Sequence, residues 1–304
     1  MVKWTSSNMP SQKGRSAVVT GTGGLGFETA LALAQAGAEV IIAGRNQKKG
    51  AVAVAAILEA APAADVRFEA LDLASLASVA DFGRRLRNQR LSLDILINNA
   101  GVMRPPKRRV TEDGFELQMG TNYLGHFALT AHLMPLLRQS KSARVVTLSS
   151  IAARSGTIDF NDLNAETNYQ PMPVYAQSKL ACLMFALELQ RRSDAAGWGI
   201  TSLASHPGLS RTNLLYNSAG RWSSVGILRS LLGFMFQPVA HGAWPTLFAA
   251  TSPLAQPGSY VGPEQMSETR GYPTPAKIPA PALNQTDAKR LWELSETLTG
   301  VRLG

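Results

Sequence analysis

Tyr175 and Lys179 stand four residues apart in Tyr175-Ala176-Gln177-Ser178-Lys179. On a helix that spacing puts a phenol and an ammonium on one face. A phenol alone exchanges protons poorly near neutral pH, and a neighbouring ammonium favours its ionised form. The pair therefore predicts a proton donor and acceptor for general acid–base chemistry. A second feature is Thr20-Gly21-Thr22-Gly23-Gly24-Leu25-Gly26. Glycines between a strand and a helix let the backbone approach a pyrophosphate, whose charge meets the unpaired N–H groups of the helix N-terminus. Beyond it, the run Glu39–Ala43 leads into Gly44-Arg45-Asn46. An arginine at that strand end suits a 2′-phosphate, which an acid would repel, so NADP(H) is expected over NAD(H).

These groups need a scaffold, and the pattern along the chain supplies one. Ser16–Thr20 is a short β-branched run, Phe27–Ala36 has helix-forming composition, and Gly37 is a plausible stop. With Glu39–Ala43 this makes a βαβ unit. The alternation continues through a helix at Lys48–Ala61, a strand at Val66–Leu71 and a helix at Leu76–Arg87. A strand at Leu93–Ile97, helical material in Gly114–Leu137 and a strand at Arg144–Leu148 come next, followed by a helix at Tyr175–Arg192 and a strand at Ile200–Ser205. Such alternation predicts an α/β fold: one doubly wound parallel, Rossmann-like sheet with helices on both faces. No internal repeat or linker divides residues 1–304, so one domain is expected. Six prolines and three glycines between Gln256 and Pro281 predict a coil, after which Asp287–Thr299 reads as a docking helix with Leu291, Leu294 and Leu298 on one face.

Composition narrows the classes further. An apolar share of 45% supports a sizeable core and excludes a disordered or collagen-like chain. One cysteine, Cys182, excludes an internal disulfide framework, and four histidines without an HExxH pattern give no reason to expect a metal. A net charge of +9 favours anionic ligands. A nucleic-acid binder would rest on that charge alone, with no recognised motif. Arg104–Arg109 is read as a solvated basic loop, and Cys182 and His206 as structural residues. The start has no secretory pattern, and Val225–Ala240 is broken by Arg229 and Pro238, so no stable membrane span and a cytoplasmic location are expected.

Taken in order, several motifs resemble those of the short-chain dehydrogenase/reductase superfamily over about residues 16–215, closest to its retinol-dehydrogenase-like branch. They are the glycine turn, Asp72-Leu73, Asn98-Asn99-Ala100-Gly101, Asn122 within Thr121–Phe127, Ser149-Ser150, Tyr175 with Lys179, and Pro207-Gly208 followed by Thr212. The resemblance implies catalytic roles for Asn122, Ser150, Tyr175 and Lys179. Tyr175 would exchange a proton with the substrate oxygen, Ser150 would orient that oxygen, Lys179 would hold the nicotinamide ribose, and Asn122 would hold a relaying water. It implies cofactor contacts from Gly21, Gly24, Leu25, Gly26, Arg45, Asn46, Asp72, Leu73, Asn99, Ala100, Gly101, Tyr175, Lys179, Pro207, Gly208 and Thr212. The expected reaction interconverts an apolar ketone or aldehyde and its alcohol, with a small-molecule substrate and a homodimer or homotetramer as the assembly.

Two departures from the resemblance matter. The glycine turn is one residue short of the family pattern and carries no basic side chain, leaving Arg45 as the cation for a 2′-phosphate. The segment from Ile151 to Val174 is long and should form one wall of the pocket. After Thr212, an apolar stretch that includes Trp222 and Phe234 is read as a substrate lid over about residues 209–240, with a surface between subunits as the rival reading. The alternative functions are an NAD-preferring alcohol dehydrogenase of the same fold and a non-catalytic dinucleotide-sensing protein.

Overall fold

The computed structural model describes residues 3–210 and 237–304. Residues whose side chains branch at Cβ and pack on both sides favour strands over helices. The five residues of β1 (Ser16–Thr20) are accordingly all buried. Around β1 lies a sheet ordered β3-β2-β1-β4-β5-β6-β7-β8. Its strands are β2 (Glu39–Gly44), β3 (Val66–Ala70), β4 (Ile95–Asn98), β5 (Ala143–Leu148), β6 (Ile200–Ser205), β7 (Tyr260–Gln265) and β8 (Arg270–Pro275). All pairs are parallel except β7 with β8. The order reverses beside β1, where β2 pairs on one side and β4 on the other, and crevices at such switch points receive ligands.

Helices cover both faces, as a mostly parallel sheet requires. Among the described residues they are α1 (Leu25–Gln35), α2 (Gln47–Ala60), α3 (Leu76–Gln89), α4 (Gly125–Leu137), α5 (Pro171–Ala196), α6 (Val239–Thr251) and α7 (Gln285–Thr299). One apolar layer gathers Val18, Phe82, Leu133 and Leu183; the other gathers Val19, Leu33, Ile57 and Leu247. The helical stretch expected within Gly114–Leu137 contains a π-helical turn at Met119–Leu124 that runs directly into α4. Such turns shift backbone carbonyls out of the regular ladder and recur at functional sites.

The segment from Gln256 to Pro281 differs from its expected coil. It holds β7 and β8, which extend the sheet. The prolines are tolerated because β8 is an edge strand and β7 meets β6 only at Tyr260 and Val261, ahead of Pro263. The turn between β7 and β8 places Met266, Ser267 and Glu268 at φ of 50°, 56° and 68°. For residues with a Cβ, this left-handed region costs about 1–2 kcal/mol each. The docking helix forms as expected. Asn284 Oδ1 accepts the Thr286 and Asp287 amides, Gly300 ends α7 at a φ of 66°, and Trp292 is buried against Phe127 and Phe185.

Candidate active site

The glycine turn is shaped by contact with the β4 loop. Gly26 must lack a Cβ, because a methyl there would lie 2.6 Å from both Asn99 Nδ2 and the Gly21 carbonyl oxygen. Asn99 Nδ2 donates to the Thr20 carbonyl at 2.6 Å, and the Asn99 and Ala100 amides both donate to Thr20 Oγ1 at 2.9 Å. No side chain caps α1 at Gly24, and the position above Gly23 is open. An uncapped helix start beneath open space fits a dinucleotide pyrophosphate.

At the end of β2, Arg45 is exposed and makes no side-chain hydrogen bond or ion pair among the described residues. Thr22 of the short turn lies against Gly44, immediately beside it. Asn46 spends its side-chain oxygen on capping α2, accepting the Lys49 amide at 2.9 Å. Asp72 Oδ1 accepts the Ala74 amide at 2.9 Å, and Leu73 is buried with its backbone against Gly125.

The acid–base residues gather at the carboxyl ends of β4, β5 and β6. Tyr175 and Lys179 are both buried on α5, with the ammonium 6.0 Å from the centre of the phenol ring. Lys179 Nζ donates to the Leu148 carbonyl at 3.0 Å, and Ser149 Oγ donates back to the Lys179 carbonyl at 2.7 Å. This locks α5 onto β5. Ser150 follows and starts the turn Ile151–Ser155, its Oγ accepting the Ala152 amide at 3.2 Å. A Cβ on Gly101 would sit 3.0 Å from Asn122 Oδ1 and 3.7 Å from Lys179 Nζ, so all three meet at one point.

Asn122 is tied to both of its neighbouring segments. Its amide donates to the Val102 carbonyl at 3.0 Å and to Ser178 Oγ at 2.9 Å, and its Oδ1 accepts the Val102 amide at 2.8 Å. Its backbone carbonyl accepts from His126 Nδ1 at 2.9 Å and Cys182 Sγ at 3.2 Å. A carbonyl oxygen has two lone pairs, and both are engaged. Asn122 is thus a brace between the β4 loop and α5.

His126 is a site residue the sequence pattern did not single out. Because Nδ1 faces a carbonyl it must carry the proton, so Nε2 accepts from Thr20 Oγ1 at 2.9 Å. Burial, with a smaller contribution from the Lys179 charge, pushes this imidazole down to about 4. Neutral His126 therefore links the glycine-turn strand to the Asn122 segment.

Pro207 and Gly208 follow β6. The Pro207 carbonyl accepts from Ser210 Oγ at 2.9 Å and Gln237 Nε2 at 2.8 Å, and the Leu209 amide donates to Thr269 at 2.7 Å. Gly208 has a φ of 62°, and a Cβ there would collide with the Thr269 carbonyl. Thr212, Trp222, Phe234 and the rest of residues 211–236, the greater part of the stretch read as a lid or a subunit interface, lie outside the described residues. Among the described residues no helix is long and apolar enough to cross a membrane, and no group of three or more potential ligands could hold a metal ion.

Comparison with known proteins agrees with this geometry. The family profile for short chain dehydrogenases matches residues 15–220. Polyprenol dehydrogenase of Mus musculus is 42% identical over 299 residues, covering 96% of this chain and 86% of the relative. Retinol dehydrogenase 13 of Mus musculus is 40% identical over 302 residues, covering 95% and 85%. The crystal structure of an uncharacterized protein from Mycobacterium paratuberculosis superposes with a TM-score of 0.83 at 40% identity, covering all of both chains. A glycine turn at the switch point, a Tyr–Lys pair on the helix after β5 and this degree of likeness converge on one assignment: the chain belongs to the short-chain dehydrogenase/reductase superfamily, in its retinol-dehydrogenase-like branch, and is an oxidoreductase acting on CH–OH groups.

Proposed function

We propose that the protein is an NADP(H)-dependent oxidoreductase that interconverts an apolar ketone or aldehyde and its alcohol, with isoprenoid alcohols of the retinol or polyprenol kind as the first class to try. The carrying observation is the convergence of buried Tyr175 and Lys179 with Ser150 and Asn122 at one end of the sheet. The relatives' names, retinol dehydrogenase and polyprenol dehydrogenase, supply the substrate class. The unpaired Arg45 beside Thr22 supplies the preference for a 2′-phosphate, with Lys48 and Lys49 close behind it in α2.

A bound nicotinamide supplies the hydride donor and acceptor of the reaction. The chain's own residues do the rest. Gly21, Gly24, Leu25 and Gly26 receive the pyrophosphate at the α1 start, and Asp72, Asn99, Ala100 and Gly101 border the adenosine. Tyr175 holds or releases the proton of the substrate oxygen, and Ser150 Oγ donates a hydrogen bond that orients that oxygen. Lys179 is anchored through one of its three N–H donors to Leu148, which leaves two for the ribose.

The test is a screen by nicotinamide absorbance with NADPH and NADH against retinal, long-chain isoprenoid aldehydes, small ketones and sugars. Turnover of apolar carbonyls with NADPH is expected. Turnover confined to polar sugars, or preference for NADH, would overturn the corresponding half of the proposal.

A further inference from the structure

Glu268 lies beyond the stretch matched by the family profile, at the tip of the β7–β8 hairpin, yet its carboxylate joins three segments around the site. Oε2 accepts from His206 Nε2 at 2.9 Å and pairs with Arg154 Nη2 at 2.6 Å. Oε1 accepts the Lys277 amide at 2.9 Å. His206 immediately precedes Pro207-Gly208, and its Nδ1 accepts the Gly208 amide at 3.3 Å. The acceptor role of Nδ1 fixes the tautomer, so the Nε2 proton points at Glu268. Arg154 belongs to the turn that starts at Ser150, and its Nη1 also donates to the Ser267 carbonyl at 3.1 Å.

The surroundings leave this arrangement little freedom. The His206 ring is completely buried, lies 5.1 Å from the Tyr260 ring, and occupies the space that a Cβ on Gly262 would need. Tyr260 Oη in turn donates to the Ser150 carbonyl at 3.3 Å. Burial works to raise the Glu268 carboxyl, but the hydrogen bonds from His206 and the Lys277 amide and the nearby Arg154 charge outweigh it and hold it below its ordinary range. The left-handed run Met266–Glu268 is the backbone path that delivers the carboxylate to this point.

We propose that Glu268 is a positioning residue: through His206 it fixes the Pro207-Gly208 loop, and through Arg154 it fixes the Ser150 turn, setting the spacing between the nicotinamide side of the cofactor and the group that orients the substrate. This inference rests on the reading of Pro207-Gly208 as the nicotinamide loop. Adenosine and phosphate contacts lie elsewhere, so loss of Glu268 should disturb one half of a bound cofactor and leave affinity nearly unchanged.

The experiment compares the full-length wild type with Glu268→Ala, Glu268→Gln and Arg154→Met. It reads NADPH affinity, the emission maximum of the bound nicotinamide, and amide hydrogen exchange of residues 206–210 without cofactor. Glu268→Ala is expected to keep the NADPH Kd within about threefold while the emission moves toward that of free NADPH and exchange at 206–210 rises at least about tenfold, a change of about 1.4 kcal/mol in local opening. Glu268→Gln, which can still accept from His206, should restore most of both signals, and Arg154→Met should move the emission partway. Unchanged emission and exchange in a folded Glu268→Ala protein would overturn the proposal. Should Glu268→Ala fail to fold, Arg154→Met decides by the same two signals. Because neither signal depends on turnover, an enzyme that binds NADPH but reduces none of the tested carbonyls would count against the proposed substrate alone. Failure of the wild type to bind either nicotinamide cofactor would overturn both.

Discussion

His126 Nδ1 donates to the Asn122 carbonyl while its Nε2 accepts from Thr20, so one buried imidazole joins the strand before the glycine turn to the segment that braces Tyr175's helix. This role requires the neutral ring. In the unfolded chain the ring takes up a proton near its ordinary value of 6.5, and in the folded protein only near 4. Between those values the unfolded state binds more protons, so stability falls as pH drops through that window and levels off below it. The displacement corresponds to about 3 kcal/mol. Denaturant titrations at pH 7 and pH 4 should show wild type losing about that much more than His126→Asn. Equal losses would mean that the imidazole is not held neutral by the fold.

Tyr175→Phe removes only the phenolic oxygen of a buried side chain. NADPH binding should persist, while kcat should fall by at least about a hundredfold, the scale of a lost acid–base group. Steady-state kinetics on an apolar ketone checks this, and activity within tenfold of wild type would mean that the proton donor lies elsewhere.

Arg45 is the cation that the glycine turn itself lacks. Arg45→Asp should shift the NADPH-to-NADH ratio of kcat/KM toward NADH by at least about tenfold, as expected for the loss of one charge-assisted contact of about 1.5–3 kcal/mol. A ratio unchanged by the substitution would remove Arg45 from the phosphate site.

Trp292 of α7 stacks on Phe185 at 5.7 Å, meets Phe127 edge-on at 5.3 Å and carries the Arg192 guanidinium 4.3 Å from its ring. Truncating so large a buried side chain typically costs about 3–5 kcal/mol. Trp292→Ala should lower stability by that much in chemical denaturation, with the Tyr175 proton chemistry intact in the folded fraction. A loss under about 1 kcal/mol would show that α7 docks without its aromatic anchor.

What could be read in the sequence follows the range of each signal. Ser16–Thr20, Glu39–Gly44 and the glycine turn are local patterns, and the structure places them with boundaries shifted by a residue or two at most. Asn122, Ser150, Tyr175 and Lys179 each stand in a local motif, and the structure brings Asn122 and Lys179 together at Gly101, with Ser150 two residues past the Leu148 carbonyl that holds Lys179. The β7–β8 hairpin was hidden by its prolines, since edge position, which makes them harmless, is a property of the assembled sheet. The Glu268 contacts were hidden for another reason. Arg154 and Ser267, whose hydrogen bond lies beside the Arg154–Glu268 pair, are 113 residues apart, and no periodicity spans that distance. His126 was invisible as a functional group because a histidine inside an apolar helix reads as core until its two ring partners are known.

The contacts around the site draw on both ends of the chain. Thr20, Asn99 and Ala100, which join the glycine turn to the β4 loop, all lie within the first hundred residues, as do β1, β2, β3 and β4. Pro207-Gly208 gains its lateral support from Thr269 and, through His206, from Glu268, and α5 gains its cover only when Trp292 arrives. Because a domain generally folds as a unit, the surroundings of Tyr175 and of Pro207-Gly208 are complete only once the chain has been made through its last hairpin and helix.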